Sequence, residues 1–108
     1  MRPRRVDDNQ REITAALRKI GCSVQPVHTI GRGCPDLLVG YKGINLLLEI
    51  KDGAKPESRQ RLTPDEIRWH LSWRGQVAVI TSVENALRLF SAPITHRTRP
   101  LRKAKKAV

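Results

Sequence analysis

The chain has 108 residues, with 21 Lys and Arg against 10 Asp and Glu, giving a formal net charge of +11. That length holds one domain with a single core and leaves no room for a second, and that charge favours a polyanionic partner. No run approaches the roughly 18–20 apolar residues of a membrane span and no charged-then-apolar leader opens the chain, so a soluble, cytoplasmic protein with no membrane partner is expected.

The charge is concentrated at the ends. Arg2, Arg4 and Arg5 open the chain, and Arg97, Arg99, Arg102, Lys103, Lys105 and Lys106 close it; taking these nine from +11 leaves about +2 for the middle. The expected organisation is a basic N-terminal arm over 1–8, one domain over 9–92, and a basic disordered tail over 93–108. Such arms add salt-dependent, sequence-independent affinity for nucleic acid. Cys22 and Cys34 are too few for a disulfide framework and read as free thiols.

Asp7-Asp8-Asn9 offers N-caps for a helix from about Gln10 to Ile20, ended by Gly21, with Ile13, Ala16, Leu17 and Ile20 as its apolar stripe. Glu12 lies beside that stripe. Cys22 to His28 reads as a first strand, with Cys22 and Val24 on one face and Ser23, Gln25 and Val27 on the other. In the loop that follows, Gly31 and Gly33 permit unusual backbone angles, and Arg32 between them is either solvated or a phosphate contact. His28 and Cys34 lack two further ligands at suitable spacing, which leaves a zinc reading poor.

Next come two short strands joined by a tight turn at Lys42-Gly43. The first opens at Pro35-Asp36 and continues to Gly40, and the second runs from Ile44 to Lys51. Side chains alternate along a strand, so Glu49 and Lys51 project the same way, roughly 6–7 Å apart. A hairpin can bring Asp36 beside them.

Asp52 to Leu62 is too polar for a core and long for a plain connection. It reads as a DNA-contacting flap, with Lys55, Arg59 and Arg61 for phosphates and Ser58 for a hydrogen bond; a solvated linker is the bland alternative. Thr63-Pro64-Asp65-Glu66 starts a helix with Thr as N-cap, Pro at N1 and Glu closing a capping box. Ile67 and Leu71 are spaced for the core, Trp69 and Trp73 for the core or a dimer interface, and His70 for packing. Gln76 to Thr81 is a β-branched strand, parallel to that of Glu49. Ser82 caps a last helix to about Phe90, with Val83, Ala86, Leu87 and Phe90 inward.

Pro35-Asp36 followed by Glu49-Ile50-Lys51 resembles the PD-(D/E)XK nuclease superfamily, and within it the small stand-alone phage and bacterial proteins of the VRR-NUC family. The likeness runs from Asn9 to about Phe90 and takes in Glu12, Gly33-Cys34-Pro35-Asp36 and the segment from Lys55 through Gly75. The short motif gains specificity from its strand context and these flanks. Many relatives have glutamine where this chain has Glu66.

The resemblance implies an α/β restriction-endonuclease-like core, in the order α-β-β-β-α-β-α, with a mixed central sheet flanked by helices. It implies a metal-dependent DNA endonuclease acting on branched DNA in the manner of a Holliday-junction resolvase, in the host cytoplasm if phage-encoded. Asp36, Glu49 and Lys51 would be catalytic. Asp36, Glu49 and the Ile50 carbonyl, with Glu12 directly or through water, would hold Mg²⁺, for which Mn²⁺ substitutes. These are hard oxygen ligands, unsuited to zinc. Arg32, Lys55, Ser58, Arg59 and Arg61 would contact DNA, no small-molecule cofactor is implied, and symmetric cleavage of a junction asks for a homodimer. The alternatives are a flap, nick or duplex nuclease of the same fold, and a non-catalytic nucleic-acid-binding module.

Overall fold

The computed structural model describes residues 8–91. The two basic ends, read above as an arm and a tail, lie outside the described residues. Four helices and four strands follow in the order α1 (Asp8–Lys19), β1 (Ser23–Pro26), β2 (Leu37–Tyr41), β3 (Ile44–Ile50), α2 (Glu57–Gln60), α3 (Pro64–Ser72), β4 (Val77–Ile80) and α4 (Val83–Ser91), with a 3₁₀ turn at His28–Ile30. Apart from the one-turn α2, this is the expected order. No helix among the described residues is long and apolar enough to cross a membrane.

The strands lie side by side in chain order; β1–β2 and β2–β3 are antiparallel and β3–β4 parallel. The parallel step requires a crossover, which the segment containing α2 and α3 provides. In the hairpin, Tyr41 faces Ile44 across a two-residue turn whose members both have positive φ, Lys42 at 49° and Gly43 at 81°. That backbone matches the right-handed twist of the flanking strands and fixes the register, with Leu37 opposite Leu48.

Alternation then sorts the side chains. Leu37, Val39, Leu46, Leu48, Ile50 and Ile80 share one face and are buried with Ile13 and Leu17 of α1 and Ala86 and Phe90 of α4. Each such aliphatic side chain, fully buried, contributes about 1.5–3 kcal/mol relative to exposure. α4 starts where expected: Ser82 Oγ accepts from the Asn85 N–H (3.0 Å), and Asn85 Oδ1 accepts from the Thr81 N–H (3.1 Å).

Four expectations need correction. β1 stops at Pro26 instead of reaching His28, because the chain turns there into the 3₁₀ segment. Asp36 and Lys51 lie just outside β2 and β3, although the Asp36 N–H still donates to the Leu48 carbonyl and the Lys51 N–H to Ile80. Ile20 falls beyond the end of α1 and is exposed. The largest correction concerns α3: Ile67 and Leu71 are 44% and 60% exposed, and His70, at 2%, is its buried residue. Trp69 stacks on Trp73 at 4.6 Å between centroids, but Trp73 is exposed, so the pair is not core. The helix is turned by polar contacts to β3, described next, which outweigh its apolar stripe.

Candidate active site

The end of β3 and the start of β2 meet because the hairpin register, continued one pair beyond Leu37–Leu48, sets Asp36 opposite Glu49. Asp36 Oδ2 accepts a 2.7 Å hydrogen bond from the Ile50 N–H, which pins its carboxylate across the mouth of the hairpin. Glu49 points to the face away from α1 and α4 and is only 2% exposed. Lys51, two residues on, lies on the same side and reaches Glu66 of α3, with Nζ 2.7 Å from Oε1 and both side chains mostly buried.

Burying this many charges has a cost that appears in their protonation. Burial first, then the charges of Asp36 and Glu66, pushes the Glu49 carboxyl up to about 9. At neutral pH it therefore keeps its proton. Burial also raises Asp36, opposed by hydrogen bonds from the Ile50 N–H and from Glu49. Burial acts to raise Glu66 as well, but hydrogen bonds from Lys51 and the Thr63 N–H, with the Lys51 charge, outweigh it and hold Glu66 below its ordinary value. Glu49 Oε1 is buried without a hydrogen-bond partner; His70 Nε2 stands 3.5 Å away, outside bonding geometry. Burial lowers His70, which is neutral there. Burial and then the Glu49 and Asp36 charges raise the nearby Cys34 thiol, and both cysteines are free.

The loop before β2 is fitted to α3. Gly31, Arg32 and Gly33 all have positive φ, and a Cβ on Gly33 would collide with the carbonyl of Asp65 in the first turn of α3. Gly33→Ala is expected to lower the melting temperature, since a Cβ at φ +83° costs about 1–2 kcal/mol even before the collision. Thermal denaturation followed by circular dichroism checks this; an unchanged midpoint would mean that the loop does not seat on α3. The close approach leaves the exposed Arg32 next to the residue that meets the start of α3.

Of the other residues singled out from sequence, Lys55, Ser58, Arg59 and Arg61 are exposed on the segment between Lys51 and α3. That segment is held by its own bonds: Gln60 Nε2 donates to the Lys55 carbonyl (2.7 Å) and the Ala54 N–H to Asp52 Oδ1 (2.9 Å). Glu12 lines a groove of about 500 Å³ with Asp8, Asn9, Asp52 and Thr81, on the α1 side of the strand ends.

Sequence reasoning missed three residues. Asn9, taken as a cap candidate, donates from Nδ2 to the carbonyls of Lys51 (2.9 Å) and Thr81 (3.4 Å), tying α1 to the ends of β3 and β4. Nothing local in the sequence signals that. Glu66 and His70, assigned to capping and packing, both face the site, and their i, i+4 spacing on α3 was the available signal.

A solved structure described as a VRR_NUC domain matches with a TM-score of 0.59 and 25% identity, over 79% of this chain and 92% of that one. The chain has a VRR_NUC-like fold. No family model matches the sequence, and no curated protein matches it. The resemblance read from Pro35-Asp36 and Glu49-Ile50-Lys51 is thus borne out in the arrangement of the VRR_NUC-like domain as a whole. Its mixed sheet with flanking helices carries the two halves of the motif to one sheet end.

A divalent cation fits what the VRR_NUC-like domain offers there. Glu49 Oε1 is a buried oxygen with no hydrogen-bond partner, and the burial and neighbouring carboxylates that keep its proton on are what a bound cation would offset. The side-chain donors are hard: the carboxylates of Asp36 and Glu49. Among the described residues no three His, Cys, Asp or Glu side chains form a ready cage. The remaining positions would fall to water and substrate oxygens, as suits Mg²⁺, which keeps several waters.

Proposed function

We propose that the protein is a Mg²⁺-dependent DNA endonuclease, for which Mn²⁺ substitutes, and that it acts on branched DNA. The observation that carries the reading is the meeting of Asp36, Glu49 and Lys51 at one sheet end, with the Asp36 carboxylate pinned 2.7 Å from the Ile50 N–H. A core needs none of these charges, and their burial acts against both carboxyls. The VRR_NUC-like fold supports the same reading.

In this reading Asp36, Glu49 and the Ile50 carbonyl hold the cation. When bound, it would lower the pKa of a water and polarise the phosphoryl group. Lys51 offers its ammonium to that water or to the charge that develops on the phosphate oxygens. The water would give up a proton to solvent as its oxygen bonds to phosphorus and the ester P–O bond breaks, and the leaving oxygen would take a proton from solvent. Arg32, beside the start of α3, and Lys55, Ser58, Arg59 and Arg61, on the segment leaving Lys51, would hold the flanking phosphates, with the basic ends adding affinity. Glu12, which lines the groove at the strand ends, would contact the cation directly or through water.

Cutting a junction symmetrically needs two such sites, and the exposed Ile67 of α3 and Trp73 at its C-cap support a homodimer that covers them. A labelled four-way junction, a 5′ flap and plain duplex, each in Mg²⁺, Mn²⁺ or EDTA, test the reading. Paired metal-dependent incisions near the branch point are expected. Cleavage of flap or duplex alone would change the substrate, and binding without cleavage would leave a nucleic-acid-binding module. Light scattering that finds only monomer, with and without DNA, would remove the junction.

A further inference from the structure

Glu66 and His70 of α3 meet the two polar residues at the end of β3 one for one. Glu66 lies 2.7 Å from Lys51, and His70 lies 3.5 Å from Glu49. The match has a simple origin. Four residues of helix rise about 6 Å and two residues of strand about 6.6 Å, so one helical turn laid along a strand offers side chains at the spacing of Glu49 and Lys51. The pairing also accounts for the turned-out Ile67 and Leu71, since α3 cannot show both its polar and its apolar stripe to the sheet.

Glu66 does more than a capping residue needs to. In the capping box its side chain accepts from the Thr63 N–H at 2.9 Å, while the Glu66 N–H donates to Thr63 Oγ1 at 3.2 Å. The oxygen that receives the Thr63 N–H is Oε1, the same atom that accepts from Lys51. One carboxylate oxygen is thereby fixed by the helix backbone and fixes in turn a side chain fifteen residues away. Lysine is a flexible four-carbon stem ending in three rotatable donors. Held at Glu66 by one donor, the ammonium has two left to direct at a water or a phosphate oxygen.

We propose that Glu66 is a positioning residue for Lys51: its Oε1, held by the Thr63 backbone N–H, sets the place of the Lys51 ammonium beside the Asp36 and Glu49 carboxylates. The inference rests on the nuclease reading for its kinetic consequence, but not for its geometry. Helix capping alone is the competing account, and Thr63 separates the two. Thr63→Ala removes the bond that Thr63 Oγ1 gives the helix and leaves Glu66 and Lys51 together. Glu66→Ala keeps the backbone N–H that Thr63 Oγ1 accepts but removes the oxygen that accepts from Lys51 and from the Thr63 N–H, and Glu66→Gln restores such an oxygen.

The experiment uses the full chain as wild type and these three variants. The first readout is the ¹⁵N-detected ammonium signal of Lys51 in metal-free protein, assigned by its loss in Lys51→Arg. The second is kcat and KM on whichever DNA the wild type cleaves. A slowly exchanging ammonium signal is expected in wild type and Thr63→Ala, and none in Glu66→Ala. A side chain freed at the reacting centre costs about 100-fold in kcat, so that loss is expected in Glu66→Ala with KM nearly unchanged, with most of the rate recovered in Glu66→Gln and none lost in Thr63→Ala. An unaltered Lys51 signal in Glu66→Ala, or a Thr63→Ala enzyme as slow as Glu66→Ala, would overturn the proposal. If the wild type cleaves nothing, the nuclease reading fails, and the ammonium signal still decides whether Glu66 places Lys51.

Discussion

Asp36→Asn is expected to abolish cleavage, by about 1,000-fold or more in kcat, while leaving the protein folded. Asn is the informative replacement because its amide oxygen can still accept the Ile50 N–H, now 2.7 Å from Asp36 Oδ2. Ala would leave that N–H without its acceptor and add about 1–3 kcal/mol of unrelated destabilisation. The same variant tests metal binding without any DNA present. A ligand bound only by the folded state at ten times its Kd stabilises by about 1.4 kcal/mol, which for a domain of this size is several degrees of melting temperature. Mg²⁺ should therefore raise the midpoint of wild type and leave that of Asp36→Asn where it was. Equal shifts in the two proteins would place the cation elsewhere, and the assignment of Asp36 as a ligand would fail.

The second large effect is on stability against pH in the absence of metal. Glu49 titrates near 9 in the folded protein against an ordinary value of 4.5, chiefly through burial and then through Asp36 and Glu66. The folded state thus holds a proton that the unfolded chain gives up. Its contribution to stability is complete below the ordinary value and is lost as pH rises towards about 9. Wild type in EDTA should melt at progressively lower temperature from pH 7 to 9. In that window His70, lowered from 6.5 by burial, adds only a small slope of opposite sign near pH 7, and the thiols of Cys22 and Cys34, raised from 9.0 by burial, add to the loss only near pH 9. Glu49→Gln should flatten the curve, since an amide carries no charge at any of these pH values. Saturating Mg²⁺ should flatten it too, because a cation takes the place of the proton and binds better as the proton leaves. A Glu49→Gln protein with the wild-type slope would show that another group carries the titration.

Much of this arrangement is legible in the sequence because it is local. The hairpin is specified by two apolar strands and a Lys-Gly turn, the start of α3 by Thr63-Pro64-Asp65-Glu66, and the candidate site by residues placed two apart on one strand and opposite each other across one turn. What escaped the sequence reading is decided at a distance. α3 and its C-cap carry Ile67 and Leu71 on one side and Trp69 and Trp73 on another, so periodicity alone offers two faces and favours the aliphatic one. The choice is made by Lys51 on Glu66, fifteen residues apart, and by Glu49 beside His70. Both contacts involve polar groups that hydropathy sends to the surface. Asn9 escaped for the same reason: its partners, the carbonyls of Lys51 and Thr81, are 42 and 72 residues away. The groove that Glu12 lines likewise depends on where α1 lies across the strand ends, which no residue of α1 states.

The two connections that flank β3 differ sharply in how much change they could absorb. The segment from Asp52 to Leu62 could lengthen by several residues at small entropic cost, since its ends are held at Gly53 on Thr81 and at the start of α3. The Lys42-Gly43 turn has no such latitude, although it sits at the far end of the hairpin from the carboxylates. It serves as a reading frame. One inserted residue would turn Asp36 to the opposite face of the sheet from Glu49, along with Leu37 and Val39. Two would restore the faces but slide β2 by a full strand repeat, about 6.6 Å along β3. Descendants of this chain that still hold Asp36 against Glu49 should therefore vary freely in length after Lys51 and hardly at all between Tyr41 and Ile44.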